Sequence, residues 1–227
     1  MSIASRCTGT ILKVDMIIKV CGMRSSANIR EVEVLPVDWI GFIFYPPSPR
    51  YCTVPPSPLP LRQRRVGVFV NADDAFIEEH ILQWHLDILQ LHGDESPTRC
   101  ADIREHFHLP VIKAFGIGSP TDFATTASYE GYVDYFLFDT LSDNRGGSGQ
   151  SFCHYWLKNY TGHTPFLLSG GIGIENIHEL RTIHHPKWVG IDLNSRFETA
   201  PAVKSPALLH SFFHSLFLKM HNSHEQD

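Results

Sequence analysis

The chain has 227 residues, 43% of them hydrophobic and 19% charged, with a formal net charge of -5. That is the profile of a globular protein long enough to bury a substantial core, and the absence of a basic block argues against a nucleic-acid binder. No apolar run approaches a membrane span, and five cysteines at 7, 21, 52, 100 and 153, with no C-x-x-C pair, favour reduced thiols in the cytoplasm over a disulfide framework or a zinc ribbon.

In chain order, residues 1–15 read as a disordered N-terminal extension, since they carry no long apolar stretch, and Met16 is a candidate functional start. Short apolar, β-branched runs then recur: Ile17–Val20, Trp39–Phe44, Val66–Val70, Ile88–Leu91, Val111–Ala114, Tyr135–Phe138, Phe166–Ser169 and Trp188–Ile191. Continuous apolar runs of this length suit parallel strands buried on both faces. Helical spacing separates most of them. Phe76, Ile77, His80, Ile81 and Trp84 recur at three- and four-residue steps within Ala75–Trp84, Ile177, Leu180 and Ile183 share a face of Glu175–Ile183, and Leu208–Leu218 closes the chain as an apolar helix. Residues 221–227 read as a tail.

Eight strands alternating with helices predict a single α/β domain, a (β/α)8 TIM barrel over residues 16–220, in preference to an open doubly wound sheet. One unit is defective. Between Tyr51 and Arg65, prolines at 55, 56, 58 and 60 forbid a long helix, so the second helix is shortened and proline-rich, or replaced by an extended crossing.

The active site of such a barrel lies at the C-terminal ends of its strands. There the sequence places Cys21-Gly22, Tyr45 to Arg50, Asn71, His92 to Glu95, Phe115-Gly116, Asp139-Thr140, Gly170-Gly171-Ile172-Gly173 and Asp192 to Arg196, with a glycine-rich loop, Arg145 to Gln150, after strand six. Glycine turns let backbone N–H groups approach an anion, and loops seven and eight are the usual phosphate seat of the fold. Gly170, Gly171 and Gly173, with Asn194 and Ser195, are therefore phosphate candidates, and Asp192 joins them as a substrate-binding candidate. Cys21 and Asp139 stand at strands one and six, across the mouth from each other, where a thiolate base and a carboxylic acid suit proton-shuttling isomerisation. Taken alone, Cys21 reads first as a buried small hydrophobe, as free cysteine so often is, and Asp139 can cap a helix or loop.

The segments IKVCGMR, DWIGFIFYPPSPRY, VGVFVN, LQLHGDE, LFDT followed by GGSGQSF, LLSGGIGIENI and VGIDLNSRFE occur in this order. Together, from about Met16 to Leu218, they resemble the phosphoribosylanthranilate isomerase family of tryptophan biosynthesis. The resemblance implies a barrel that needs no metal and no organic cofactor. It implies an Amadori rearrangement of N-(5'-phosphoribosyl)anthranilate to 1-(2-carboxyphenylamino)-1-deoxyribulose 5-phosphate, with a small phosphosugar as partner; a monomer is the expected assembly, though no motif in the sequence bears on it. It places the general base on Cys21, the general acid on Asp139, the contact to the anthranilate carboxylate on Arg50, and His92 in the lining of the site, where it either meets substrate or serves as a structural histidine. These roles require a Cys21 thiol ionised near neutral pH, below its ordinary value, and an Asp139 carboxyl kept protonated by burial or by a neighbouring carboxylate.

The chain departs from the family at Arg196, which stands where a glycine is common, either adding charge to the phosphate seat or facing solvent. Competing readings are other phosphosugar barrels. Aminoaldose isomerases of histidine synthesis use an aspartate where this chain has Cys21. An indoleglycerol phosphate synthase needs a strand-end lysine, for which Lys113 is the candidate, and an epimerase needs metal-binding histidines and aspartates. A barrel that only binds is the reading from another class.

Overall fold

A computed structural model describes residues 16–140 and 154–218. The expected extension 1–15, the glycine-rich loop at 145–150 and the tail at 221–227 lie outside the described residues.

Eight parallel strands close into a barrel: β1 (Ile17–Val20), β2 (Trp39–Ile43), β3 (Arg64–Phe69), β4 (Ile88–Leu91), β5 (Val111–Ile117), β6 (Tyr135–Thr140), β7 (Phe166–Ser169) and β8 (Trp188–Leu193), each beside the next and β8 beside β1. The two-residue alternation of a strand divides the apolar residues between two cores. Trp39, Val66, Ile88, Ile112, Ala114, Leu137 and Leu167 fill the barrel interior. Ile18, Val20, Phe42, Phe69, Leu89, Phe136, Phe138 and Leu168 face the surrounding helices. On β1 the same alternation turns Lys19 and Cys21 inward with Ile17.

Helices occupy the outside unevenly. After β1 comes α1 (Ser26–Val32), after β3 α2 (Asp74–Trp84) and after β4 α3 (Pro97–Phe107). The Asp73 and Ser96 side chains accept the backbone N–H of Phe76 and Arg99 at the starts of α2 and α3, satisfying donors that the first helical turn leaves free. Between β2 and β3 the expected shortened helix is absent: the proline-rich stretch crosses as turns and bends, since its prolines lack the N–H a helix needs. It is held by α1 and its end, where the Arg30 guanidinium donates to the Pro58 and Leu59 carbonyls, Gln63 Nε2 donates to Glu33 O and Ser57 N donates to Ser26 Oγ. The connections after β5 and β6 are 3-10 segments, Pro120–Tyr129 and His154–Asn159.

The Glu175–Ile183 stretch, expected as one helix, is a 3-10 turn at Ile174–Asn176 followed by a single α turn, α4 (Ile177–Leu180). An apolar repeat every three residues is also the period of a 3-10 helix, so Ile177, Leu180 and Ile183 do not require a longer α-helix. After β8 the chain makes a hairpin absent from the expected pattern, β9 (Glu198–Ala200) against β10 (Val203–Lys204), turning through Ala202 at φ 65°, before α5 (Pro206–Leu218) closes the chain. The hairpin is tied to α1: Lys204 N donates to Asn28 Oδ1 at 2.7 Å and Asn28 Nδ2 donates to Lys204 O at 2.8 Å.

Candidate active site

Cys21 ends β1 with its backbone N–H on Leu193 O at 2.9 Å and its side chain 3% exposed. Two residues earlier, on the same face, Lys19 is fully buried and its Nζ donates to both Asp192 carboxylate oxygens at 3.0 and 3.1 Å. The pairing follows from the barrel register, in which Lys19 and Asp192 are direct neighbours across β1 and β8. Burial alone would lower the Lys19 pKa, but Asp192 and the Cys21 thiol together hold it above its ordinary value. Burial pushes the Cys21 thiol up, against the pull of Lys19 and Lys204. This corrects the expectation from the sequence: without substrate the thiol is raised above its ordinary value, because the desolvation of a thiolate at this depth outweighs the neighbouring cations.

Asp139, near the end of β6, faces His92 at the end of β4, with 3.5 Å between Asp139 Oδ2 and His92 Nε2. Gln90 Nε2 lies 2.9 Å from His92 Nδ1 and fixes the ring. Asp139 is 34% exposed, so of the two surroundings expected for it, burial or a neighbouring carboxylate, it lacks the first. A neighbouring carboxylate is present, however. Asp192 is pushed up mainly by burial and further by the charge of Asp139, against Lys19.

Arg50, carried by the loop after β2, grips a carboxylate of the protein itself. Its Nε donates to the two Glu198 oxygens at 2.8 and 3.1 Å, and its Nη2 donates to Oε2 at 2.6 Å. The fully buried Lys204 ammonium donates to Glu198 Oε1 at 2.6 Å and to Asn194 Oδ1 at 2.8 Å. Burial pushes the Glu198 carboxyl up, and the hydrogen bonds from Arg50 and Lys204 more than reverse this, holding it below the usual carboxylate range. Gly22, at φ 74°, lies against this cluster, where an added Cβ would stand 2.7 Å from Arg50 Cδ and 2.9 Å from Asn194 Oδ1.

Loops seven and eight lie side by side. Gly170 and Gly171 take φ of 84° and 63°, backbone that favours glycine. Gly173 is extended and its N–H donates to Asn176 Oδ1 at 2.9 Å, while Asn176 Nδ2 donates to Gly171 O at 2.8 Å. Asn194 and Ser195 open a 3-10 turn at Ser195–Phe197. Arg196 adopts it without positive φ and reaches back to Glu175, 3.4 Å from Nη1 to Oε1, with both side chains more than half exposed. It therefore faces solvent while bridging the two loops.

A family model described as N-(5'phosphoribosyl)anthranilate (PRA) isomerase matches residues 18–215. The chain belongs to the phosphoribosylanthranilate isomerase family. It is 46% identical over 205 residues, 90% of this chain and 100% of the relative, to N-(5'-phosphoribosyl)anthranilate isomerase of Phocaeicola vulgatus. The phosphoribosyl anthranilate isomerase of Thermus thermophilus superposes with a TM-score of 0.72 at 29% identity, covering 88% of this chain and 98% of that one. A phosphoribosyl anthranilate isomerase in complex with reduced 1-(o-carboxyphenylamino)-1-deoxyribulose 5-phosphate superposes with a TM-score of 0.75 at 26% identity and the same coverage.

Lys113, the residue on which a synthase reading would rest, is turned away from the interior. It lies between the inward-facing Ile112 and Ala114, and its Nζ is spent on Glu95 Oε2 at 3.1 Å and Gly93 O at 2.6 Å. Glu95 in turn accepts the backbone N–H of Asn71 and Gly93, which makes it a brace for loops three and four. Among the described residues no group of three or more His, Cys, Asp or Glu could hold a metal ion, and no helix is long and apolar enough to cross a membrane.

Three charged residues of this cluster went unread in the sequence: Lys19, Glu198 and Lys204. Lys19 left a signal, a charge in the middle of the apolar run IIKV, which a buried strand tolerates only with a partner. Glu198 and Lys204 left none, because only the hairpin brings them to the mouth.

Proposed function

We propose that the chain catalyses the Amadori rearrangement of N-(5'-phosphoribosyl)anthranilate to 1-(2-carboxyphenylamino)-1-deoxyribulose 5-phosphate. Family membership supports the reaction. The observation that carries the assignment of roles is the acid–base arrangement of the mouth, with Cys21 beside Lys19 on one side and Asp139 against His92 on the other. Asp139, with His92 beside it at 3.5 Å, gives a proton to the ribose ring oxygen as general acid. The bond from that oxygen to carbon 1 then breaks, giving the protonated Schiff base. Cys21 takes the proton from carbon 2, leaving an enolamine; the Cys21 thiol returns a proton to carbon 1 while the 2-hydroxyl gives its own to the Asp139 carboxylate, and the ketone results. No net oxidation occurs: carbon 1 is reduced as carbon 2 is oxidised.

The raised Cys21 thiol fits a base that is unmasked in the complex. The iminium charge formed on ring opening and the Lys19 ammonium both stabilise a thiolate at the buried Cys21. Gly170 and Gly171, with Asn194 and Ser195, seat the phosphate, while Gly173, whose N–H is given to Asn176 Oδ1, shapes loop seven. Asp192, anchored by Lys19, faces the sugar. Arg50 receives the anthranilate carboxylate. The monomer is the proposed assembly, since these residues all come from one chain, with sedimentation as the check. The buried free thiols Cys21, Cys52 and Cys100 suit a reducing cytoplasm.

The decisive experiment follows the fluorescence of phosphoribosylanthranilate generated in place from anthranilate. Decay with wild type but not with Cys21→Ala or Asp139→Asn is the expected result. Near-normal decay in either folded variant would remove the role given to that residue, and no decay with wild type would sink the reaction itself.

A further inference from the structure

The Arg50 guanidinium cannot meet a substrate carboxylate with its whole fork, because Glu198 already holds its Nε edge with three hydrogen bonds. An arginine has five N–H donors. Glu198 occupies the Nε–H and one N–H of Nη2, which leaves the Nη1 pair and the second N–H of Nη2, a free edge with two parallel donors. That edge matches a second carboxylate bidentately.

We propose that Glu198 is a positioning residue that sets the substrate specificity of the site, by fixing Arg50 so that only its Nη1–Nη2 edge faces the aromatic carboxylate. The inference rests on the reading that Arg50 receives this group. Three further observations support it. Glu198 is itself immobilised, 6% exposed and pinned by Lys204 at 2.6 Å. Gly22 leaves room for the Arg50 stem, since a Cβ there would stand 2.7 Å from Cδ. The cluster of Arg50, Lys204 and Glu198 carries one surplus positive charge, which matches one carboxylate and not a second phosphate.

Charge and geometry give opposite forecasts for Glu198→Gln. Removing an anion next to Arg50 should tighten carboxylate binding if only net charge counts. If Glu198 positions the fork, the amide group of glutamine repels one donor, the fork swings free and binding weakens. The test measures calorimetric affinity for the reduced product analogue and for its counterpart lacking the aromatic carboxylate. Wild type should prefer the carboxylated compound by roughly tenfold or more, the worth of a charged hydrogen-bond pair. In Glu198→Gln the preference should fall to within about threefold, with KM for phosphoribosylanthranilate rising by more than kcat falls. Glu198→Asp, which keeps the charge but retracts it by one methylene, should lose the preference as well, and circular dichroism verifies the fold of both. A preference retained or enlarged in either folded variant would overturn the inference. An Arg50→Ala enzyme that still prefers the carboxylated analogue would instead sink the reading of Arg50 on which it rests.

Discussion

Gly41 makes the space that the Cys21 sulfur fills. The two residues lie one step past the Val20–Ile40 pair of β1 and β2, and a Cβ built on Gly41 would stand 2.7 Å from Cys21 Sγ and 3.1 Å from its Cα. The thiol therefore points into the mouth against a bare stretch of backbone, and its direction is set by a neighbour that has no side chain.

Gly41→Ala should consequently act on the chemistry more than on binding. Overpacking of one methyl costs about 1–3 kcal/mol, and the relief available is rotation of the thiol. We expect kcat to fall by at least about tenfold with KM little changed, the cost of sub-ångström misplacement of a reacting group. Steady-state kinetics with a thermal melt check this, and a normal kcat in a destabilised protein would show that the thiol position is not critical.

Lys19→Met leaves the Asp192 carboxylate buried without its partner, a change that costs about 3–5 kcal/mol. It also strips the cation from beside Cys21. Lys19→Met with Asp192→Asn should recover most of the stability and none of the activity. Denaturant melts and fluorescence decay separate the two effects. Recovered turnover in the double variant would mean that Lys19 serves only to neutralise Asp192.

Because burial raises the Cys21 thiol, the thiolate is scarce in the free enzyme at neutral pH. The acid limb of kcat/KM reports the free enzyme's base, so kcat/KM should climb with pH through about 8.5, the ordinary cysteine value, and beyond it. A limb centred below pH 7 would show that the cations outweigh burial. The sign for stability is the same: the neutral thiol is the favoured folded form, so its contribution is complete below the unfolded value and is lost as pH rises through the folded one.

Glu198 titrates in the other direction. Its folded pKa is depressed, so its contribution to stability is present above about 4.3, the ordinary glutamate value, and is lost as pH falls through the folded one. Acid melts of wild type and Glu198→Gln should draw together as pH falls from about 4.3 and meet only below the depressed folded value. Melts that stay apart there would show that the Arg50–Glu198–Lys204 cluster contributes through packing rather than charge.

The barrel was legible in the sequence because parallel strands buried on both faces advertise themselves as unbroken apolar runs. β1, β4 and β7 lie where those runs begin and end. The strand-end rule then led to Cys21, His92, Asp139 and Asp192 without any contact being known. Partners were harder to read. Glu198 and Lys204 lie in a hairpin whose strands are three and two residues long, too short for alternation to show. That Arg50 would be held by Glu198, 148 positions away, depends on closure of the whole barrel. The raised Cys21 thiol was likewise out of reach, since depth of burial decides its sign and the sequence shows only the neighbouring residue types.

The mutual grip of Asn28 and Lys204 joins a helix formed just after the first strand to a hairpin formed just after the last. A ribosome therefore releases the hairpin's glutamate and lysine only after every barrel strand has emerged. Until then Arg50 has nothing to brace it, and the first strand has no Asp192 for its lysine. The site is completed by joining an early helix to a late hairpin, so a polypeptide cut short before that hairpin lacks the carboxylate that holds Arg50.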